Sequence, residues 1–144
     1  MKVRIKKLSN DAREPAYQTE GSAGMDLCAC VPSTVTIAPG ARAVVPTGIA
    51  IEFPRGTQGE VRSRSGLAAN KGIMVLNSPG TVDSDYRGEV KVILYNSSDE
   101  AFVINTGDRI AQLVLMNYMR AQIEVVGELS ETARNDGGLG STGV

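Results

Sequence analysis

Between Asn77 and Glu89 the chain reads N-S-P-G-T-V-D-S-D-Y-R-G-E, which sets two carboxylates, Asp83 and Asp85, beside the ring of Tyr86. Apolar runs flank this stretch, Ile73 to Leu76 before it and Val90 to Leu94 after it. A hairpin built this way holds an acid, an aromatic ring and a basic residue, Arg87, at one rim. Such a rim can bind a small polar molecule and activate a water against it. The same Asp, Ser and Gly residues also suit an ordinary turn, so the other segments decide between the two.

The chain contains no histidine. That removes Ser-His-Asp and Cys-His catalysis and every His-ligated metal site. If a water is to be activated, a carboxylate must do it. The two cysteines, Cys28 and Cys30, are two residues apart. On a strand they share a face, a disulfide between them is unfavourable, and two thiols do not complete a zinc site. They read as reduced packing residues of a cytoplasmic protein.

The elements that must position the rim read as strands. At 144 residues the chain suits one domain with a real core. Its 42% hydrophobic and 22% charged content is ordinary for a soluble globule. No stretch has the length and apolarity to span a bilayer. With a net charge of −1 and no tryptophan, it has neither the basic stripe nor the stacking surface of a nucleic-acid binder. Alternation starts at Val3 and Ile5. Ala43 to Phe53 is β-rich and broken by Pro46 and Gly48. Short runs follow at Glu60 to Arg62, Ile73 to Leu76, Glu89 to Asn96, Ala101 to Asn105, Arg109 to Tyr118 and Gln122 to Val126. Turn residues punctuate them at the spacing of a sandwich or barrel. Only Ser65 to Lys71 invites a helix, with Ser as a possible cap and Gly72 as its stop. The expected architecture is all-β, jelly-roll-like, with one short helix.

Two features point to an oligomer. Ile110, Val114 and Met116 share one strand face, and Ala111, Leu113 and Leu115 share the other, so both faces need cover. The last stretch, residues 128–144, lacks apolar periodicity and carries Gly137, Gly138, Gly140 and Gly143. It reads as a flexible arm on a domain of residues 1–127.

Four further constellations carry chemistry. Arg62 to Ala68 reads R-S-R-S-G-L-A, placing Arg64 and the Ser65 hydroxyl at a helix start that favours an anion; a capped helical turn is the plainer alternative. In G-M-D-L, Asp26 is an acid in an apolar stretch and needs a partner, either Arg64 or the water shell of a divalent cation. In G-D-R-I-A-Q, Gln112 is an amide among aliphatics, bonded either to backbone or to a ligand. The tail from Arg134 reads R-N-D-G-G-L-G-S-T-G. Its glycines, hydroxyls and guanidinium suit phosphate oxygens, although it is not a Walker A loop.

These five pieces, in this order, resemble the five motifs of the trimeric dUTPases. They are A-G-M-D-L at 23–27, R-S-R-S-G-L-A at 62–68, G-T-V-D-S-D-Y-R-G-E at 80–89, G-D-R-I-A-Q-L at 107–113 and the tail from Arg134. The resemblance implies a jelly-roll homotrimer with active sites shared between subunits and an arm that closes over a neighbour's bound nucleotide. It implies hydrolysis of dUTP at the α-phosphorus to dUMP and pyrophosphate, keeping uracil out of DNA. Mg²⁺ would ride on the triphosphate and waters, with Asp26 touching it through water and no direct protein ligand. Asp83 would orient and deprotonate the water, and Tyr86 would pack on the deoxyribose and exclude a 2′-hydroxyl. Asn77 and the backbone of Gly80, Thr81 and Val82 would read the uracil edge. Arg64, Ser65, Gly66 and Gln112 would hold phosphates, while Arg134, Leu139, Gly140, Ser141 and Thr142 would close from the arm. Asp26 and Asp85 would be supporting acids. The resemblance implies neither a nucleic-acid nor a membrane partner.

The chain departs from the family pattern at Leu139, where Phe is usual, and at Asn135 and Asp136, where Gly commonly follows the arginine. Looser arm closure is the expected result, since leucine covers a base without a π-face. Met25 and Cys28 also vary from common choices. Two rival readings share the fold: a dCTP deaminase-like enzyme, and a nucleotide-sensing module that binds dUTP without turnover. A third, a purely structural trimer, would not need these polar residues.

Overall fold

A computed structural model describes residues 1–138. Its elements, in chain order, are β1 (Arg4–Lys7), β2 (Gly24–Cys28), β3 (Val35–Ile37), β4 (Arg42–Glu52), β5 (Thr57–Arg62) and α1 (Ser65–Lys71). They continue with β6 (Ile73–Val75), β7 (Gly80–Val82), β8 (Glu89–Asn96), β9 (Phe102–Ile104) and β10 (Arg109–Asn117). The strands pair antiparallel into sheets ordered β1-β4-β8-β6, β2-β10-β5-β7 and β3-β9. The all-β expectation holds, with one short helix; among the described residues the sheets do not close into a barrel. No described helix is long and apolar enough to cross a membrane.

Alternation places the core. Val90, Val92 and Leu94 of β8 face inward with Val45, Ile49 and Ile51 of β4, and all are buried. Leu27, Val61, Ala111 and Leu113 close from the second sheet, and Ile37 and Ile104 from the third, in one cluster. Each fully buried Leu, Ile or Val contributes about 1.5–3 kcal/mol by area removed from water. The one fully buried amide in that cluster's neighbourhood, Asn96, is satisfied. Its Nδ2 donates to the carbonyls of Ile37 (2.9 Å) and Glu100 (2.7 Å), and its Oδ1 accepts from Ser98 N (3.0 Å).

Three local expectations are revised. Pro46 and Gly48 do not break β4; the strand runs through them, and its register with β8 shifts between Pro46 and Ala50. Gly48 makes this possible with φ +68°, in a place where a Cβ would come within 2.8 Å of Cys30 Sγ. The bulge is fastened by Thr47, whose hydroxyl donates to the Val90 carbonyl at 2.5 Å. No side chain caps α1, so Ser65 is its first residue rather than its cap; Gly72 ends it in the left-handed region, as expected. Residues 122–126 form no strand, and Ile123 and Val125 stay 87% and 94% exposed. Among the described residues they pair with no sheet edge.

β10 meets its two-faced requirement only in part. Ala111 and Leu113 are fully buried, and the register shift at the strand's start also buries Ile110. Further along the other face, Val114 is half-buried and Met116 exposed.

Candidate functional site

The Asn77–Glu89 stretch is more than a hairpin turn. Its base is the β6–β8 pair, with Val75 opposite Leu94, but its middle, β7, crosses to the other sheet and pairs with β5. The rim therefore spans both layers. After Val82 the chain turns, with the Tyr86 N–H donating to the Asp83 carbonyl at 3.2 Å. Arg87 folds back and donates from Nη1 to the carbonyls of Ser84 (2.7 Å) and Tyr86 (3.0 Å), so its charge stiffens the turn. The Tyr86 ring lies across Gly88, where an added Cβ would come within 2.4 Å of the phenol oxygen. Its hydroxyl donates to the Glu89 carbonyl at 3.0 Å. Asn77 packs its amide against Gly80, 3.1 Å from where a Cβ would stand.

This turn borders a cavity of about 350 Å³ lined by Thr81, Val82, Asp83, Tyr86, Glu89 and Lys91, with Val44 and Ile93 completing its apolar wall. The volume suits a small ligand. The site reading from sequence omitted Glu89 and Lys91. The available signal was β8's alternation, which sends Glu89, Lys91 and Ile93 outward while Val90 and Val92 point to the core.

The second cluster surrounds Asp26. Its side chain is 12% exposed, and both oxygens accept from guanidinium groups, Oδ1 from Arg64 Nε and Oδ2 from Arg109 Nη1, each at 3.1 Å. Arg64 also donates to the Arg109 carbonyl at 3.0 Å. Of the two partners considered for this buried acid, the structure supplies arginine. Arg109 was quoted within its motif but given no role; an acid needing two donors was the clue. Gln112 donates from Nε2 to the Ser63 carbonyl at 2.9 Å, the backbone option. Its amide lies over Gly24, where a Cβ would stand 2.4 Å from Oε1. Together these contacts fix the corner from which Arg64, Ser65 and Gly66 enter α1. Nothing lies within 4 Å of a Cβ built on Gly66, so that corner is open to a ligand.

The structure does not bring the two clusters together within one chain. Asp83 follows the Val82–Gly59 pair and so falls level with Gln58 on β5, while Arg64 lies beyond that strand's far end. At ~3.3 Å per residue, Gln58 to Arg64 spans about 20 Å. Asp85 is exposed on the Tyr86 turn and does not meet Arg64, whose partner is Asp26. In the arm, Arg134 Nε donates to the Gly137 carbonyl at 2.7 Å. Asn135 adopts φ +43° and exchanges bonds with Thr132. Asparagine tolerates that left-handed conformation, which is the one glycine favours. Leu139, Gly140, Ser141 and Thr142 lie outside the described residues.

The sequence profile of the dUTPase family matches residues 10–143. The chain belongs to the dUTPase family. A deoxyuridine 5'-triphosphate nucleotidohydrolase of Syntrophotalea carbinolica is 52% identical over 98% of this chain and 96% of its own. One of Rhizobium etli is 58% identical over 90% of this chain and 85% of its own. Among solved structures, a Staphylococcus bacteriophage 80alpha dUTPase with dUpNHpp superimposes with a TM-score of 0.88 at 27% identity, covering 99% of both chains. The chain shares the dUTPase fold.

Proposed function

We propose that this dUTPase-family chain hydrolyses dUTP to dUMP and pyrophosphate, with Asp83 as the general base. The observation that carries the reading is the small cavity where Asp83, Tyr86 and Lys91 meet, on a chain with over 50% identity to nucleotidohydrolases of dUTP. The carboxylate orients a water, takes its proton as oxygen attacks the α-phosphorus, and the pyrophosphate departs. The hairpin backbone at Gly80, Thr81 and Val82 with Asn77 reads uracil, whose O4 accepts and N3–H donates. Cytosine reverses both, and a fixed backbone would then leave buried groups unpaired. Tyr86 packs on the sugar.

Arg64, Ser65, Gly66 and Gln112 hold the phosphates. Because they stand about 20 Å from Asp83 along the strand direction in one chain, a neighbouring copy supplies them, in a homotrimer. The exposed Met119, Ile123, Val125 and Leu129 after β10 support association, since that much apolar side chain wants cover. The arm residues Arg134, Leu139, Gly140, Ser141 and Thr142 then close over the nucleotide.

Among the described residues no three Asp, Glu or Cys side chains converge on a possible ion, and both Asp26 oxygens already serve arginines. That donor set fits a Mg²⁺ held by triphosphate oxygens and waters rather than by a protein cage. When bound, the ion neutralises phosphate charge. The test is incubation of purified protein and Mg²⁺ with dUTP, dCTP, dTTP and UTP, measuring pyrophosphate and ammonia. Pyrophosphate from dUTP alone is expected. Ammonia from dCTP, or tight dUTP binding without turnover, would replace this reading with one of its rivals.

A further inference from the structure

Glu89 lines the cavity beside Asp83 and Tyr86 and makes three attachments. Its backbone carbonyl accepts the Tyr86 hydroxyl at 3.0 Å. Its Oε1 accepts the Gly48 N–H at 2.9 Å, and its Oε2 lies 3.7 Å from Lys91 Nζ. The Gly48 end is rigid, because that residue sits in the left-handed bulge of β4 with Ala12 and Cys30 pressed against it. The Lys91 end is soft. Its side chain is 54% exposed and the pair is long, which marks a weak surface contact. The firm bond therefore runs from the β4 bulge, through the Glu89 carboxylate, to the residue that accepts the Tyr86 hydroxyl.

We infer that Glu89 is a positioning residue for sugar discrimination: its carboxylate, anchored on the Gly48 N–H, fixes the Tyr86 ring at the depth that excludes a 2′-hydroxyl. This rests on the reading above in which dUTP is the substrate and Tyr86 meets its sugar. Asp83 has a second support that Tyr86 lacks: it follows directly on β7, which is paired to β5, although the Tyr86 N–H also bonds its carbonyl. Loosening Glu89 should therefore blunt the choice of sugar more than the chemical step. Gln at this position still offers an oxygen to Gly48, whereas Ala offers none.

The experiment compares kcat/KM for dUTP and UTP in the full-length protein and in Glu89→Gln, Glu89→Ala, Tyr86→Phe and Glu89→Ala/Tyr86→Phe. Glu89→Ala is expected to lower the dUTP-over-UTP ratio by ~10-fold or more, within the range a single pocket contact supplies, and to change that ratio by more than it changes kcat for dUTP. Glu89→Gln should keep the ratio within about threefold. Tyr86→Phe, which removes the tethered hydroxyl while keeping the ring, should lower the ratio much as Glu89→Ala does. The double variant should fall no further, since both changes cut one connection. A parental ratio in Glu89→Ala, additive losses in the double variant, or a parental ratio in Tyr86→Phe would each overturn the inference. The Tyr86→Phe result decides it even if Glu89→Ala does not fold. A parent protein that turns over no dUTP would overturn the substrate reading and this inference with it, whereas a selective parent with an equally selective Glu89→Ala sinks the inference alone.

Discussion

Replacing Asp26 by Asn tests whether the corner that leads into α1 is held by charge. The carboxylate is 12% exposed and accepts from two guanidiniums at 3.1 Å. Asn retains one oxygen for Arg64 but presents an NH₂ group to Arg109. A hydrogen bond to a charged group is worth about 1.5–3 kcal/mol. Arg109 is 48% exposed, so water repairs part of that loss and the lower end applies. Arg64, at 26% exposure, loses its countercharge but keeps an acceptor; this adds up to ~1 kcal/mol. The sum is about 1.5–2.5 kcal/mol for Asp26→Asn. Asp26→Ala removes both acceptors beside partly buried arginines and should cost about 3–5 kcal/mol. For a chain of this size that places the melting temperature of Asp26→Asn roughly 4–10 °C below the parent. Circular dichroism melts and urea titrations at one fixed protein concentration measure it, since an oligomer's stability depends on concentration. Equal costs for Asn and Ala, or a change under about 0.5 kcal/mol in both, would show that the arginines are not held by this acid.

Three further outcomes are expected. Asp83→Asn should still bind dUTP in calorimetry while losing turnover by ~10²–10⁴-fold or more, the usual share of a general base; comparable turnover would remove the base from this position. Ending the chain after Ala133 should leave the oligomer intact by size-exclusion chromatography and cut kcat/KM sharply, because ordering the arm is coupled to nucleotide contacts; unchanged kinetics would take the arm out of the mechanism. Burial pushes the Cys28 thiol above its ordinary value, with Arg13 opposing, so less thiolate is present at neutral pH and alkylation should be slow in the native protein. Mass spectrometry should show labelling of Cys28 that rises with pH and is faster after denaturation; rapid native labelling at pH 7 would contradict the burial.

Much of this architecture is legible in alternation. Glu89–Asn96 reads as a strand because Val90, Val92 and Leu94 alternate along it, and Ser65–Lys71 as a helix because Gly72 stops it. β2, β3 and β7 do not read as strands from the sequence: each is short, and polar or glycine residues interrupt its apolar run. Pro46 and Gly48 read as a break because they usually are one; here a bulge absorbs them. Residues 122–126 read as a strand because apolar runs signal burial, yet Ile123 and Val125 stay exposed among the described residues. Motif order singles out Asp26, Arg64, Asp83 and Tyr86 as candidates, and the structure pairs the first two and sets the last two at one cavity. Glu89, Lys91 and Arg109 escaped because charged residues in strands ordinarily face water, and only three-dimensional pairing distinguishes a cavity wall from a solvated face.

The Ile73–Asn96 segment is stitched at its base to one sheet and at its middle to the other. Neither layer can slide on its neighbour without dragging the Asp83 turn along. Aim is thus an attribute of the whole sandwich: a repacked methyl group deep inside, touching no nucleotide, should register first as altered catalytic alignment and only later as lost heat tolerance.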